Sequence, residues 1–168
     1  MMIPAPGAIR LLGLALGLSC SLSAWAGNTA TQKICYSVQE ATQISVSGDP
    51  APMVVVAATP GVDPVPVTEA STRYSIASNA GEDSKKITAS LDRDLPAGVL
   101  LEVELAAPDA NATSTKRALS RQATDLVTNI DNVAATDKAI TYTLRAEATA
   151  KALAGDSLLV TYTITNQI

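Results

Sequence analysis

The stretch Val99-Leu-Leu-Glu-Val-Glu-Leu105 puts Val99, Leu101, Val103 and Leu105 on one parity and Glu102 and Glu104 on the other. A period of two is the signature of a strand with one face buried and one face wet. The same period closes the chain. Leu158, Val160, Tyr162, Ile164 and Ile168 share one parity, and Thr161, Thr163, Thr165 and Gln167 share the other. It also appears in Thr72–Ala77, in Lys86–Leu91 (Ile87, Ala89 and Leu91 inward) and in Ala139–Ala146. Val, Ile, Thr and Tyr, which dominate these stretches, suit a pleated, half-buried surface.

Turn signals separate the alternating stretches: Gly48-Asp-Pro50, Asn79–Asp83, Asp92–Asp94 with Pro96-Ala-Gly98, and Lys151–Asp156. Met53–Ala57 is a continuous apolar run bounded by Pro52 and Pro60. Pro60-Gly-Val-Asp-Pro-Val-Pro66 reads as a loop, because its prolines offer no donor to a ladder. Leu126, Val127, Ile130 and Val133 fit a short helix as well as a bulged strand, so Ser120–Val133 stays open between the two. Many short strands and almost no amphipathic helix predict an all-β, immunoglobulin-like β-sandwich of about seven to eight strands over residues 42–168.

Residues 1–26 have the charged start, short apolar run and Ala24-Trp-Ala26 motif of a secretory signal peptide, with cleavage expected after Ala26. A lipoprotein signal on Cys20 is the rival, although Gly17-Leu-Ser-Cys20 is a poor lipobox. Losing Arg10 takes twelve basic residues to eleven against sixteen acidic ones, a net charge of −5. An acidic exported chain without a basic cluster argues against nucleic acid and anionic membrane as partners. No later apolar run is long enough to span a bilayer. After cleavage Cys35 is the single cysteine, so no intramolecular disulfide is expected; it is either a spare small residue or an intermolecular link.

Neither a catalytic nor a metal site, and no cofactor, is expected. The chain has no histidine, which removes the commonest general base and imidazole ligand. Its glycines are scattered singly through turns, unlike a phosphate loop. Glu102 with Glu104, and Asp92 with Asp94, are the carboxylate pairs that could do acid–base work or hold calcium. Both read instead as a solvated strand face and a turn. Asn111-Ala-Thr113 fits the glycosylation triplet and implies a surface loop.

Both ends alternate. Residues 27–41 carry Ile34, Tyr36 and Val38 on one parity ahead of the main run of strands. In donor-strand complementation an extended segment of one subunit fills the place of a missing strand in the next. The signal peptide, the N-terminal "ATQKICYSVQ" and the final "AGDSLLVTYTIT" together resemble the subunits of chaperone–usher pili, including their archaic, spore-coat-U-like branch. Gly155 is the fourteenth residue from the end, a spacing familiar in the better-known branch. The chain departs from that branch at Gln167, where a tyrosine is usual, and once Cys20 leaves with the signal peptide it lacks a second cysteine for the disulfide common in these families.

The resemblance implies a fimbrial structural subunit that self-associates at the cell surface after transit through the periplasm, with a role in adhesion. It implies that Ile34, Tyr36 and Val38 are a donor strand. Gly155, Leu158, Val160, Tyr162 and Ile164 would then mark the acceptor strand, on which a periplasmic chaperone docks. The alternative is a self-contained secreted or periplasmic immunoglobulin-like sandwich with a binding or adhesion role.

Overall fold

The computed structural model describes residues 31–56, 60–79, 83–152 and 155–167, which form ten strands and no helix. The chain divides into two units, Met1–Val38 and Gln39–Ile168. The signal-peptide reading of residues 1–26 lies outside the described residues, as does Ile168. In the first unit, residues 31–38 have no regular secondary structure.

The strands of the second unit are β1 (Thr42–Ser47), β2 (Val67–Glu69), β3 (Arg73–Asn79), β4 (Lys85–Leu91), β5 (Val99–Leu105), β6 (Thr113–Ser114), β7 (Arg117–Ala118), β8 (Thr124–Ile130), β9 (Asn132–Ala146) and β10 (Val160–Asn166). Seven have six residues or more, close to the expected count. The extra three, β2, β6 and β7, have only two or three residues each, too short to show a period.

All pairing is antiparallel. One sheet runs β1-β3-β9-β5-β7, with β2 also on β9; the other runs β10-β4-β8-β6. They form a β-sandwich. Alternation fills its interior: Ile87, Ala89 and Leu91 from β4, Leu101, Val103 and Leu105 from β5, and Tyr74 and Ile76 from β3 are buried, with Leu126, Val127, Ile130, Ile140 and Tyr142 from β8 and β9. The Tyr74 hydroxyl donates to the Ala106 carbonyl at 2.5 Å, so a buried phenol keeps a partner.

Ser120–Val133 holds no helix, and its helix-like spacing has a mechanical cause. Between Ile87↔Val127 and Thr88↔Asp125 one residue of β4 faces two of β8, so Leu126 and Val127 both reach the core. A second extra residue lies between Lys85↔Ile130 and Ile87↔Val127, where Asn129 takes φ 59°. Two bulges thus convert a period of two into an apparent helical one. A further bulge, at Asp137 (φ 58°), bends the fifteen-residue β9 between its pairings with Tyr74 and Ile76.

The apolar run after Pro52 joins neither sheet over residues 51–56, while Met53 packs on the core and Val54 and Val56 are exposed. The prolines around it remove ladder donors. Gly98 needs its missing side chain. At φ 79° it closes the Pro96–Val99 turn, and a Cβ there would meet Ala150 Cβ at 3.1 Å.

Candidate functional site

Among the described residues the first sheet is bordered by β1, β7 and the three-residue β2, which carries Glu69, and the second by β6 and β10. An edge is a row of unpaired backbone groups that natural proteins usually blunt by shortness, charge, proline or a bulge. β6 and β7 are two residues long, with Lys116 and Arg117 at hand. β1 (TQISVS) and β10 (VTYTITN) have six and seven residues, no charge, no proline and unbroken register. The blunted edges share one side, since β7 approaches β8, the neighbour of β6. The two unprotected ones approach each other on the opposite side.

Hydrogen bonding fixes what these edges present. Asp92 N–H donates to the Leu159 carbonyl and Gln167 N–H to the Ser84 carbonyl, so odd residues of the terminal strand bond towards β4. By alternation the backbone groups of Val160, Tyr162 and Ile164 point to the open edge. In β1, Asn79 N–H donates to the Ala41 carbonyl, which turns Ile44 and Val46 outwards in the same way. The outward backbones belong to the inward side chains. Leu158, Val160, Tyr162, Ile164 and Ile44 touch the core yet are only half-buried, because among the described residues each stands on a strand with a ladder partner on one side alone. Gly155 is exposed at φ 48° ahead of this strand, and its place is a bend that lets the chain turn into it.

One polar contact ties β10 to the other sheet. The hydroxyls of Tyr142 and Tyr162 meet at 2.8 Å. Burial pushes both phenols up, and for Tyr162 the hydrogen bond with Tyr142 adds to it. Burial, with the Asp109 carboxylate as a lesser cause, pushes Tyr74 up to about 12 from an ordinary value of 10.0. Between those values the unfolded chain releases phenolic protons that the folded one retains. Stability is therefore complete below pH 10 and falls as pH rises towards 12. The urea midpoint should drop over that interval, with Tyr74 alone contributing about 2 kcal/mol, and Tyr74→Phe should flatten the drop. A midpoint level from pH 10 to 12 would contradict this assignment.

The chain leaves the sandwich through a fixed point at residues 39–41. Asn79 Nδ2 donates to the Gln39 carbonyl at 2.8 Å, and the Ala41 N–H donates to Asn79 Oδ1. Lys85, 5% exposed, sends Nζ to Glu40 Oε1 at 2.5 Å and to Asn166 Oδ1 at 2.6 Å. No motif or composition signal in the sequence singles out Lys85. Its signal was parity, since it stands in phase with Ile87, Ala89 and Leu91 and so points inward.

In the first unit, Ile34, Tyr36 and Val38 are 77, 90 and 82% exposed. Three large apolar side chains in phase, all in water, are unusual for a stretch of this length. Cys35 between them is exposed as well.

The carboxylates have structural partners. Glu102 accepts from Arg145 Nε at 2.8 Å and pairs with Lys116 at 3.3 Å, and the Arg145 hydrogen bond chiefly holds its carboxyl below the usual range. Asp92 accepts the Leu159 N–H at 3.0 Å, capping the approach to β10, and Asp94 lies 3.9 Å from Arg121. No group of three or more metal-ligating side chains converges among the described residues. No helix among them is long and apolar enough to cross a membrane.

Neither a protein-family model nor a curated protein matches this chain. The two open edges and the alternating segment are therefore the ground for any functional reading.

Proposed function

We propose that this chain is an exported structural subunit of a cell-surface fibre, and that residues 31–38 of one copy complete the open side of the next. The observation that carries the reading is the pairing of two unblunted, uncharged edges on one side of the sandwich with a matching apolar-alternating segment exposed elsewhere in the chain. An incoming strand beside β10 would satisfy the outward backbone of Val160, Tyr162 and Ile164. Its apolar parity would cover the same residues' half-exposed side chains. The resemblance of both ends to chaperone–usher subunits agrees with this reading and names the fibre a fimbria.

Until assembly such an edge invites aggregation. A periplasmic chaperone that covers β10 during transit is the partner this chemistry calls for. The fibre would then stand at the cell surface with a role in adhesion. The acceptor face needs no cofactor and performs no reaction, so the subunit is not an enzyme.

The test compares the exported chain with one lacking residues 27–38, sized by light scattering over a range of concentrations after mild heating. The intact chain should form concentration-dependent oligomers, and the shortened one should remain a folded monomer. An intact chain that stays monomeric and fully folded alone would favour the self-contained sandwich and end the fibre reading.

A further inference from the structure

Residues 106–112 carry the chain from the end of β5 in one sheet to β6 in the other. The crossing is pinned at its ends, where the Ser114 hydroxyl donates to the Leu105 carbonyl. Asp109 caps the turn within it. Its Oδ1 accepts the Asn111 N–H at 2.9 Å and the Ala112 N–H at 2.8 Å. Pro108 is buried and Ala112 packs on the core, which leaves Ala110 and Asn111 exposed at the tip.

Of the six asparagines in the chain, Asn111 alone has a Ser or Thr two residues on, Thr113. The side-chain amides of Asn79, Asn129 and Asn166 are held by Gln39, Thr113 and Lys85. Asn111 offers its amide to solvent instead. Little keeps the stretch around it folded. β6 has two pairings, Thr113↔Thr128 and Ser114↔Val127, and Asn129 Nδ2 reaches the Thr113 hydroxyl at a long 3.3 Å. Edge segments with so few contacts open at small cost. Drawn out, Asp109, Asn111 and Thr113 stand two residues apart and face one way. An enzyme reading that extended edge meets a carboxylate, an amide and a hydroxyl in a row.

We propose that Asn111 is a modification site that takes one N-linked oligosaccharide. It rests on the export of the chain and not on its assembly into a fibre. The donor is a polyprenyl-diphosphate-linked oligosaccharide in the export compartment, used by a membrane transferase. Asn111 Nδ2 forms a bond to C1 of the first sugar, and the bond from C1 to the diphosphate oxygen breaks. Its electron pair leaves with the polyprenyl diphosphate, and one amide proton passes to a base of the transferase. Asp109 and Thr113 do not react; they hold the acceptor in register.

The place suits a bulky hydrated group. Asn111 stands just ahead of β6, on the side of the sandwich where β7 approaches β8. An oligosaccharide there completes the blunting that the shortness of β6 begins, and the β1–β10 side stays clear.

The test produces the full chain in an export host that carries a lipid-linked oligosaccharide and its transferase, and in the same host with the transferase deleted. Intact mass is read after periplasmic fractionation. The periplasmic chain should carry the mass of one oligosaccharide, mapped by trypsin to residues 94–116, and should lose it without the transferase. Asn111→Gln and Thr113→Val should abolish the added mass, and Thr113→Ser should keep it. Asp109→Ala should lower the modified fraction severalfold, although loss of the cap alone would free the loop and raise it. A fraction unchanged or raised removes the role of Asp109. An exported chain at its unmodified mass, or an added mass that survives Asn111→Gln, overturns the site alone. A chain that stays in the cytoplasm with residues 1–26 attached overturns export and the site together.

Discussion

Ending the chain at Ser157 is expected to leave no cooperative unfolding transition in urea. Val160, Tyr162 and Ile164 pair directly with Leu91, Ala89 and Ile87, three residues buried to 4% exposure or less. Without β10 those core residues meet water. Each fully buried aliphatic or aromatic side chain is worth roughly 1.5–3 kcal/mol, and half-buried ones about half that. Adding a seven-residue ladder at about 1 kcal/mol per hydrogen bond brings the loss to the size of a whole domain's stability, about 5–15 kcal/mol. Tyr142 also loses the Tyr162 hydroxyl that meets its own across the sandwich. β10 is an edge by position but a wall of the core by packing. A truncated chain that still unfolds sharply would mean the second sheet closes without it.

The second large effect concerns the exposed segment. Replacing Ile34, Tyr36 and Val38 together by Asp should weaken self-association by about three orders of magnitude or more. The estimate takes roughly 1.5–3 kcal/mol for each side chain that would be buried and a tenfold change per 1.4 kcal/mol. New charges against an apolar face add to the loss. Because all three side chains lie in water, the isolated subunit's own stability should change by less than about 0.5 kcal/mol. Sedimentation across a dilution series reads the first quantity and urea unfolding the second. Triple-Asp chains that assemble at the wild-type concentration would remove the donor role from these residues.

The contrast between these two regions shows what the sequence could reveal. Lys86–Leu91, Val99–Leu105 and Val160–Asn166 announce themselves because one face is core and the other water, so the period of two survives in the residue types. The Thr124–Ile130 strand hides because its bulges put Leu126 and Val127 on the same side. No local pattern could reveal them, since a bulge is a relation between two strands. The candidate site was legible in the same uneven way. Val160, Tyr162 and Ile164 could be placed on one face from their spacing. That their backbones are unpaired depends on sheet order, which is set by contacts between residues far apart in the chain. Lys85 and Asn79 were legible only as exceptions, a charge in an apolar phase and an amide at the end of a strand.

The unequal edges also set a valence. On the fibre reading, a body blunted on the β6–β7 side and open on the β1–β10 side would accept one strand, and residues 31–38 would donate one. Units with one acceptor and one donor link head to tail, with no branch points and a fixed polarity along the chain. Growth then continues only while free donors remain. A copy lacking residues 27–38 would still accept a strand but donate none, so small amounts of it would act as chain stoppers. Mean fibre length would then follow the mixing ratio, as in a step-growth polymer with a monofunctional additive.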